Sequence, residues 1–327
     1  MVSLTEGQKA ALSPEAINFL QNVHHLPFAS LLSNFVAMPS RVPALRRDIE
    51  QKMAPGEAAL ITKHNIKLKD VTIAGVPVIV IEPGTIAAGM EKKIMFNVFG
   101  GAFIIGSATD RAALTMAGEL GVRVFSINYS KAPEAKYPVA RDQCLEVYRA
   151  LVQKGLVGGA PIDPADIYAM GSSSGAQLIL SMFIKAREEG LPLPTAGLYL
   201  CTPAVDLSGA GDSAIFNARD RDIMPTSLLY SMVSQNYFAG KVDLQDPLIS
   251  PIYSTYDKTF PRTVITVGTR DFALSNGIRF YWKLREAGVD VELLVSEGMW
   301  HGFVWDPIIP EALVARAAVI EFLKRGA

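Results

Sequence analysis

The stretch 166–187, Asp-Ile-Tyr-Ala-Met-Gly-Ser-Ser-Ser-Gly-Ala-Gln-Leu-Ile-Leu-Ser-Met-Phe-Ile-Lys-Ala-Arg, constrains the fold more than any other. Residues 167–170 are a short apolar run without charge, which reads as a buried strand. From Leu178 onward, Leu178, Ile179, Met182, Phe183 and Ala186 fall at helical spacing. Between strand and helix lies Gly171-Ser172-Ser173-Ser174-Gly175, a G-x-S-x-G. At such a junction this pattern makes a nucleophile elbow, a strained turn that lifts the Ser173 hydroxyl above the sheet edge. A side chain at either glycine would collide with the neighbouring strand or helix.

The rest of the chain supplies the sheet that an elbow needs. Residues 66–73 and 76–81 flank Gly75 and read as a β-hairpin. Strands over 94–98, 122–127, 197–201, 263–267 and 289–295 alternate with helices over 111–120, 139–153, 276–287 and 311–325. That alternation predicts an α/β fold, a mostly parallel sheet covered by helices on both faces. Residues 1–64 read as amphipathic helix, cut into short pieces by Pro27, Pro39 and Pro43. The strand–helix rhythm breaks again over 208–245, where 226–238 reads as a helix rich in aromatics and methionine. Such an insertion is too long for an ordinary connection and points to a lid. The expected organisation is one catalytic domain: core over 65–207 and 246–327, helical cap from 1–64 and 208–245.

Composition excludes several classes. Lys and Arg number 31 against 32 Asp and Glu, a net charge of −1, so nothing favours nucleic acid or an anionic membrane. Two cysteines, Cys144 and Cys201, make neither a disulfide framework nor a zinc pattern and fit a reduced compartment. No basic start followed by an apolar stretch opens the chain, and no apolar run is long enough to cross a bilayer. The expectation is a cytoplasmic protein without stable membrane insertion.

A serine hydroxyl needs a base, and the base needs an orienting group. Of four histidines, His24, His25, His64 and His301, only His301 follows a predicted strand, within Gly298-Met-Trp-His-Gly-Phe303. Asp271, in Val267-Gly-Thr-Arg-Asp-Phe, follows another strand and so reaches the same carboxyl edge as Ser173. Asp306 and Glu297 compete for the acid's role from less direct positions. The order Ser173, Asp271, His301 is that of α/β-hydrolases. Oxyanion donors are expected from the Ser174 N–H at a helix start and from the Gly100-Gly101-Ala102 turn. Neither a phosphate-binding lysine loop nor a dinucleotide fingerprint is present, and the triad calls for no metal or organic cofactor.

With these residues in place, the sequence resembles the hormone-sensitive-lipase-like carboxylesterases of the α/β-hydrolase fold, from about residue 65 to the end. Asn128-Tyr-Ser-Lys-Ala-Pro-Glu134 is similar to the family's N-Y-R-L-A-P-E, and Tyr137-Pro-Val-Ala-Arg-Asp142 to its F-P-A-A-x-x-D. Asp246-Pro-Leu-Ile-Ser-Pro251 and His301-Gly-Phe303 match as well. The resemblance implies a triad at Ser173, Asp271 and His301, and oxyanion donors at Gly101, Ala102 and Ser174. It also implies a helical cap and, in many relatives, a homodimer paired through the last strand and helix.

Three departures stand out. The family's H-G-G-G is Phe99-Gly-Gly-Ala here, without the histidine that braces the oxyanion loop. Its G-D-S-A-G-G is Gly171-Ser-Ser-Ser-Gly-Ala176, and Ser275 and Asn276 stand where an acid often follows the triad aspartate. The implied function is hydrolysis of a small-molecule ester through an acyl-enzyme. Lactone or amide hydrolysis, elimination, or a non-catalytic receptor on the same scaffold are the alternatives. Phe28, Phe35 and Met224, with Phe99 and Trp300 from the edge loops, are the candidate pocket residues. A pocket of such residues has no charge reader and suits neutral esters with short to medium acyl groups.

Overall fold

The computed structural model describes residues 4–23, 35, 37–155, 159–217, 221–224, 226–238 and 240–325. Among them are eight strands: β1 Lys67–Ile73, β2 Val76–Glu82, β3 Ile94–Val98, β4 Arg123–Ile127, β5 Ile167–Ser172, β6 Gly197–Cys201, β7 Thr263–Gly268 and β8 Val291–Ser296. They form one sheet in the order β1-β2-β4-β3-β5-β6-β7-β8. The β1–β2 hairpin is antiparallel and joins β4 antiparallel, whereas β4, β3, β5, β6, β7 and β8 run parallel. All strand ends that carry chemistry therefore open on one edge.

Side chains alternate across this sheet with the period of two that a strand imposes. Phe96 of β3, Ala169 of β5, Leu200 of β6 and Ile265 of β7 face one core, under helices Val139–Lys154, Ser174–Glu188 and Leu274–Glu286. Met95, Met170, Tyr199 and Val264 face the other, under helices Arg111–Met116 and Pro310–Lys324. Both faces are covered, which is why β3, β5, β6 and β7 are buried at every position and largely apolar rather than alternating, with Asn97 of β3 paired to Ser126 at 2.8 Å. A fully buried ring such as Phe96 or Phe183 contributes about 1.5–3 kcal/mol of transfer free energy.

The N-terminal region departs from the expected run of short helices. Val42–Lys63 is a single helix of 22 residues. Pro43 lies in its first turn, where a missing N–H is no loss, and Pro55 sits on the exposed face without ending it. Pro27 lies outside the described residues. Over 208–245 the described residues form helices Ser213–Phe216 and Thr226–Met232, the latter continuing as a wider π-helical turn Val233–Tyr237. Tyr237 stacks on Phe103 at 3.9 Å, and Asn236 donates to the Ala37 carbonyl at 2.8 Å, tying this segment to the loop after β3 and to the N-terminal region. No described helix is long and apolar enough to cross a membrane.

Candidate active site

Ser173 sits between β5 and helix Ser174–Glu188 with φ 53° and ψ −118°, a conformation an L-residue adopts only under constraint. Two bonds impose it: the Ser173 N–H donates to the Cys201 carbonyl at 2.9 Å, and the Ser173 carbonyl accepts from Ala204 at 3.1 Å. The turn is tight enough that a Cβ on Gly175 would lie 2.0 Å from the Val98 carbonyl oxygen. The motif's last glycine is thus required by the approach of β3.

Asp271 follows β7 and His301 follows β8. The two loops are stitched together: Gly298 N–H donates to Thr269 Oγ1 at 2.8 Å, and Arg270 N–H to the Met299 carbonyl at 2.9 Å. This places His301 Nε2 at 3.0 Å from Ser173 Oγ and His301 Nδ1 at 2.8 Å from Asp271 Oδ1. Since the carboxylate only accepts, Nδ1 carries the proton and Nε2 is free to accept from the serine. Phe272 stacks on the imidazole at 4.4 Å. Burial disfavours the imidazolium, but the charge and hydrogen bond of Asp271, with Asp222 beyond it, leave the His301 pKa above its ordinary value. Asp271 is fully buried, and its Oδ1 also accepts from the Ala273 N–H at 2.7 Å.

The loop after β3, expected to supply oxyanion donors, is left-handed at three successive residues. Gly101, Ala102 and Phe103 have φ of 118°, 55° and 65°. Gly101 is obligatory there, because a Cβ would meet the Ile105 carbonyl oxygen at 2.3 Å. Among the described residues, no group accepts from the N–H of Gly101, Ala102 or Ser174, and all three residues line the cavity that contains Ser173. The loop is held from outside. Tyr129 Oη donates to the Phe99 carbonyl at 3.1 Å, Lys131 Nζ to Gly106 at 2.6 Å, and Arg46 Nε to Ile104 at 2.6 Å. Ser174 Oγ accepts from the Phe103 N–H at 3.2 Å and so links loop and elbow directly.

The cavity above these groups measures about 480 Å³. Met224, Leu229, Tyr230, Val233, Phe238 and Phe272 are prominent in its apolar wall. Two carboxyls also line it. Asp206 is paired with Arg279 at 2.5 Å, and burial pushes the Asp110 carboxyl up to about 7 while it caps the Ala113 N–H at 3.0 Å.

Of the pocket residues expected from sequence, Met224 lines the cavity, as do Tyr230 and Phe238. Three others are corrected. Phe99 is fully buried and stacks on Tyr129 at 4.2 Å, so it supports the loop from beneath. Trp300 is buried against Phe19, ring to ring at 4.1 Å, and anchors the His301 loop to the N-terminal helix Pro14–Asn22. Phe35 is 47% exposed, with the Arg41 guanidinium 3.7 Å from its ring centre, and faces outward. Each ring found a partner other than the cavity. Phe28, like His24 and His25, lies outside the described residues.

Sequence reasoning missed the grip that 208–245 has on the acid loop. Asn217 Nδ2 donates to the Asp271 carbonyl at 2.9 Å, and Ser213 Oγ to the Phe272 carbonyl at 2.8 Å. Ser275, one of the residues standing in place of the expected acid, pairs with Ser213 in both directions at 2.8 and 3.0 Å. Asp222 accepts from the N–H groups of Phe272 at 2.7 Å and His301 at 3.2 Å. Nothing in the spacing of Asp212, Asp220 and Asp222 distinguishes the one that faces the triad.

Comparison with known proteins agrees with this geometry. A model of the α/β-hydrolase fold matches residues 95–305. An esterase of Acinetobacter venetianus is 32% identical over 72% of this chain and 76% of its own. The crystal structure of an esterase superposes with a TM-score of 0.85 at 30% identity, covering 99% of this chain and 97% of that one. That of a hormone-sensitive lipase from a metagenome library gives 0.73 at 26% identity over 95% and 99%. The chain belongs to the α/β-hydrolase fold family, and within it to the hormone-sensitive-lipase-like carboxylesterases.

Proposed function

We propose that the chain is a serine carboxylesterase that hydrolyses neutral, hydrophobic esters of short to medium acyl length. The observation that carries this reading is the relay Ser173 Oγ, His301 Nε2, His301 Nδ1, Asp271 Oδ1, with links of 3.0 and 2.8 Å, opening on an apolar cavity. Ser173 attacks the ester carbonyl as His301 takes its proton, and Asp271 holds the imidazole tautomer and steadies the imidazolium. The oxyanion that forms is met by the N–H groups of Gly101, Ala102 and Ser174. His301 then returns the proton to the departing alkoxide, and water activated by the same imidazole cleaves the acyl-enzyme.

Neutral substrates follow from the charge state of the walls. Asp206 is paired with Arg279, and burial keeps Asp110 largely protonated below about pH 7, so in that range the described walls present no unpaired carboxylate to bind a cationic ester. A cavity of about 480 Å³ suits a small ester better than a long acylglycerol. The cap is assigned to 1–64 and 208–245. A cytoplasmic setting is supported by Cys144 and Cys201, both buried free thiols. Pairing of two copies along the edge strand β8, where Val295 is 46% exposed, completes the proposal and is read by sedimentation.

The decisive experiment is hydrolysis of a chain-length series of p-nitrophenyl esters by wild type and Ser173→Ala. Wild type is expected to favour the shorter esters and the variant to lose about a millionfold in kcat. Activity that survives in the variant refutes Ser173 as nucleophile. Lactones and amides run in the same series show whether ester cleavage is the preferred reaction.

A further inference from the structure

The carboxylate of Asp222 is 1% exposed, and its hydrogen bonds are disposed unlike those of an ordinary turn residue. A local turn needs only the Met224 N–H, which Oδ1 accepts at 3.3 Å. The other two bonds reach far along the chain. Oδ2 accepts from Phe272, 50 residues on, and Oδ1 from His301, 79 residues on. One of these amides belongs to the residue after the triad acid, and the other to the triad base. A single side chain from the 208–245 segment therefore bridges the loop after β7 and the loop after β8 at the points where they deliver catalysis.

Asp222 also lies close to the reacting groups. One ligand atom each of Asp222, Asp271 and His301 lies within 4.8 Å of the other two. Among the described residues, Asp271 and His301 are the titratable groups that face it, one from each loop. A second carboxylate beside Asp271 is unfavourable in a dry site unless hydrogen bonds and a cation hold it. Three N–H donors and the imidazolium formed during turnover are what this site provides. Burial, and then the charge of Asp271, push the Asp222 carboxyl up to about 6, so it is largely ionised at neutral pH. Asp271 Oδ2, buried and without a partner among the described residues, is left to feel that charge.

We propose that Asp222 is a positioning residue for the hydrolysis: it fixes the acid and base loops in register through the Phe272 and His301 amides and places a second negative charge behind the imidazole. This rests on the esterase reading above. It makes the triad dependent on the seating of the 208–245 segment, because the same residue belongs to the cavity's cover and to the back of the relay. Loss of its charge removes part of what favours His301 as imidazolium, so the pKa of the base falls.

The test compares wild type, S173A, D222N and D222E on p-nitrophenyl butyrate, with melting followed by circular dichroism. D222N is isosteric, but a carboxamide presents one acceptor and cannot serve both loops. Its kcat is expected to fall about 10- to 100-fold with KM changed by less than about threefold, the split expected when an interaction made in the transition state is lost. The acidic limb of its kcat/KM profile is expected to move to lower pH. D222E, which keeps the charge, is expected to restore the limb toward the wild-type position. A D222N enzyme with kcat within about twofold of wild type and an unmoved limb overturns the proposal, whatever its melting temperature; so do D222N and D222E limbs that move alike. If D222N fails to fold, ¹³C-histidine labelling of the wild type decides: a second inflection in the His301 ring signal, from the titration of Asp222, supports the proposal and a single one overturns it. S173A keeps the two readings apart. A dead S173A with an unaffected D222N sinks only the role of Asp222, whereas an active S173A sinks the nucleophile.

Discussion

Ser174→Ala is a demanding test of how the oxyanion loop is held, because it restores the residue that the family motif G-D-S-A-G-G carries. Judged by motif alone, the change is benign. The structure predicts otherwise. Ser174 Oγ is the acceptor for the Phe103 N–H at 3.2 Å, and Ser174 is 2% exposed. Removing Oγ leaves a buried amide without a partner, at a cost of about 1–3 kcal/mol. The backbone N–H of residue 174 survives the substitution, so no oxyanion donor is deleted, and the penalty must stay below the hundred- to thousandfold of a lost donor. If half of that cost falls on the placement of Gly101 and Ala102, kcat drops about 2- to 12-fold at about 1.4 kcal/mol per tenfold. KM for a short p-nitrophenyl ester stays nearly constant, since the acyl wall is untouched. Steady-state kinetics and a thermal melt on the same preparation read both halves of the expectation. An S174A enzyme with wild-type kcat and wild-type melting temperature refutes the claim that this hydroxyl carries the loop.

Two further predictions concern stability. Asp110 has its pKa raised from 3.8 to about 7, mainly by burial, so the folded protein prefers the neutral acid while the unfolded chain ionises near pH 4. Wild type therefore loses stability as pH rises from about 4 to 7, and Asp110→Asn, an equally good helix cap, escapes that loss. Its melting temperature is expected to exceed that of wild type by a margin that grows over this window and then levels; an equal margin at pH 4 and pH 8 contradicts the argument. Gly175→Ala puts a Cβ 2.0 Å from the Val98 oxygen and 2.6 Å from the Phe99 oxygen, both backbone atoms. Because neither can move without parting β3 from the elbow, the variant is expected to lose about 3 kcal/mol or more, read as a drop in denaturation midpoint.

What the sequence revealed and what it hid divide along a physical line. Strands such as β6 were legible because a sheet buried on both faces favours apolar residues at successive positions, and Gly197–Cys201 satisfies that without ambiguity. The positions of Ser173, Asp271 and His301 were legible because each lies at the start of, or within, the loop after a strand whose end is marked by glycine or by a change of period. The long helix Val42–Lys63 was not, because Pro43 reads alike as a break and as a helix start. The pocket was the least legible part. Phe99, Trp300 and Phe35 are large and apolar, which says only that each seeks a partner; Tyr129, Phe19 and the Arg41 guanidinium turned out to be those partners. Asp222 was hidden for a related reason, since its partners are backbone amides and amides leave no signature in sequence.

The replacement of histidine by Phe99 shows how a motif can change while its mechanical task is kept. A loop of left-handed residues 101–103 must be pinned if its N–H groups are to meet a transient oxyanion without reorganising. Here the pins attach to main-chain groups at intervals along the loop: Tyr129 at Phe99, Ser174 at Phe103, Arg46 at Ile104 and Lys131 at Gly106. The Phe99 ring stacks on the Tyr129 ring whose hydroxyl grips the Phe99 carbonyl, so packing and hydrogen bond act on the same two residues. A histidine at 99 would put a polar ring into that fully buried stack and need a partner to offset its desolvation. Phenylalanine at 99 and serine at 174 are therefore best understood together. The support that one departure from the motif removes is carried by the tyrosine beneath the loop and by the hydroxyl that the other departure adds.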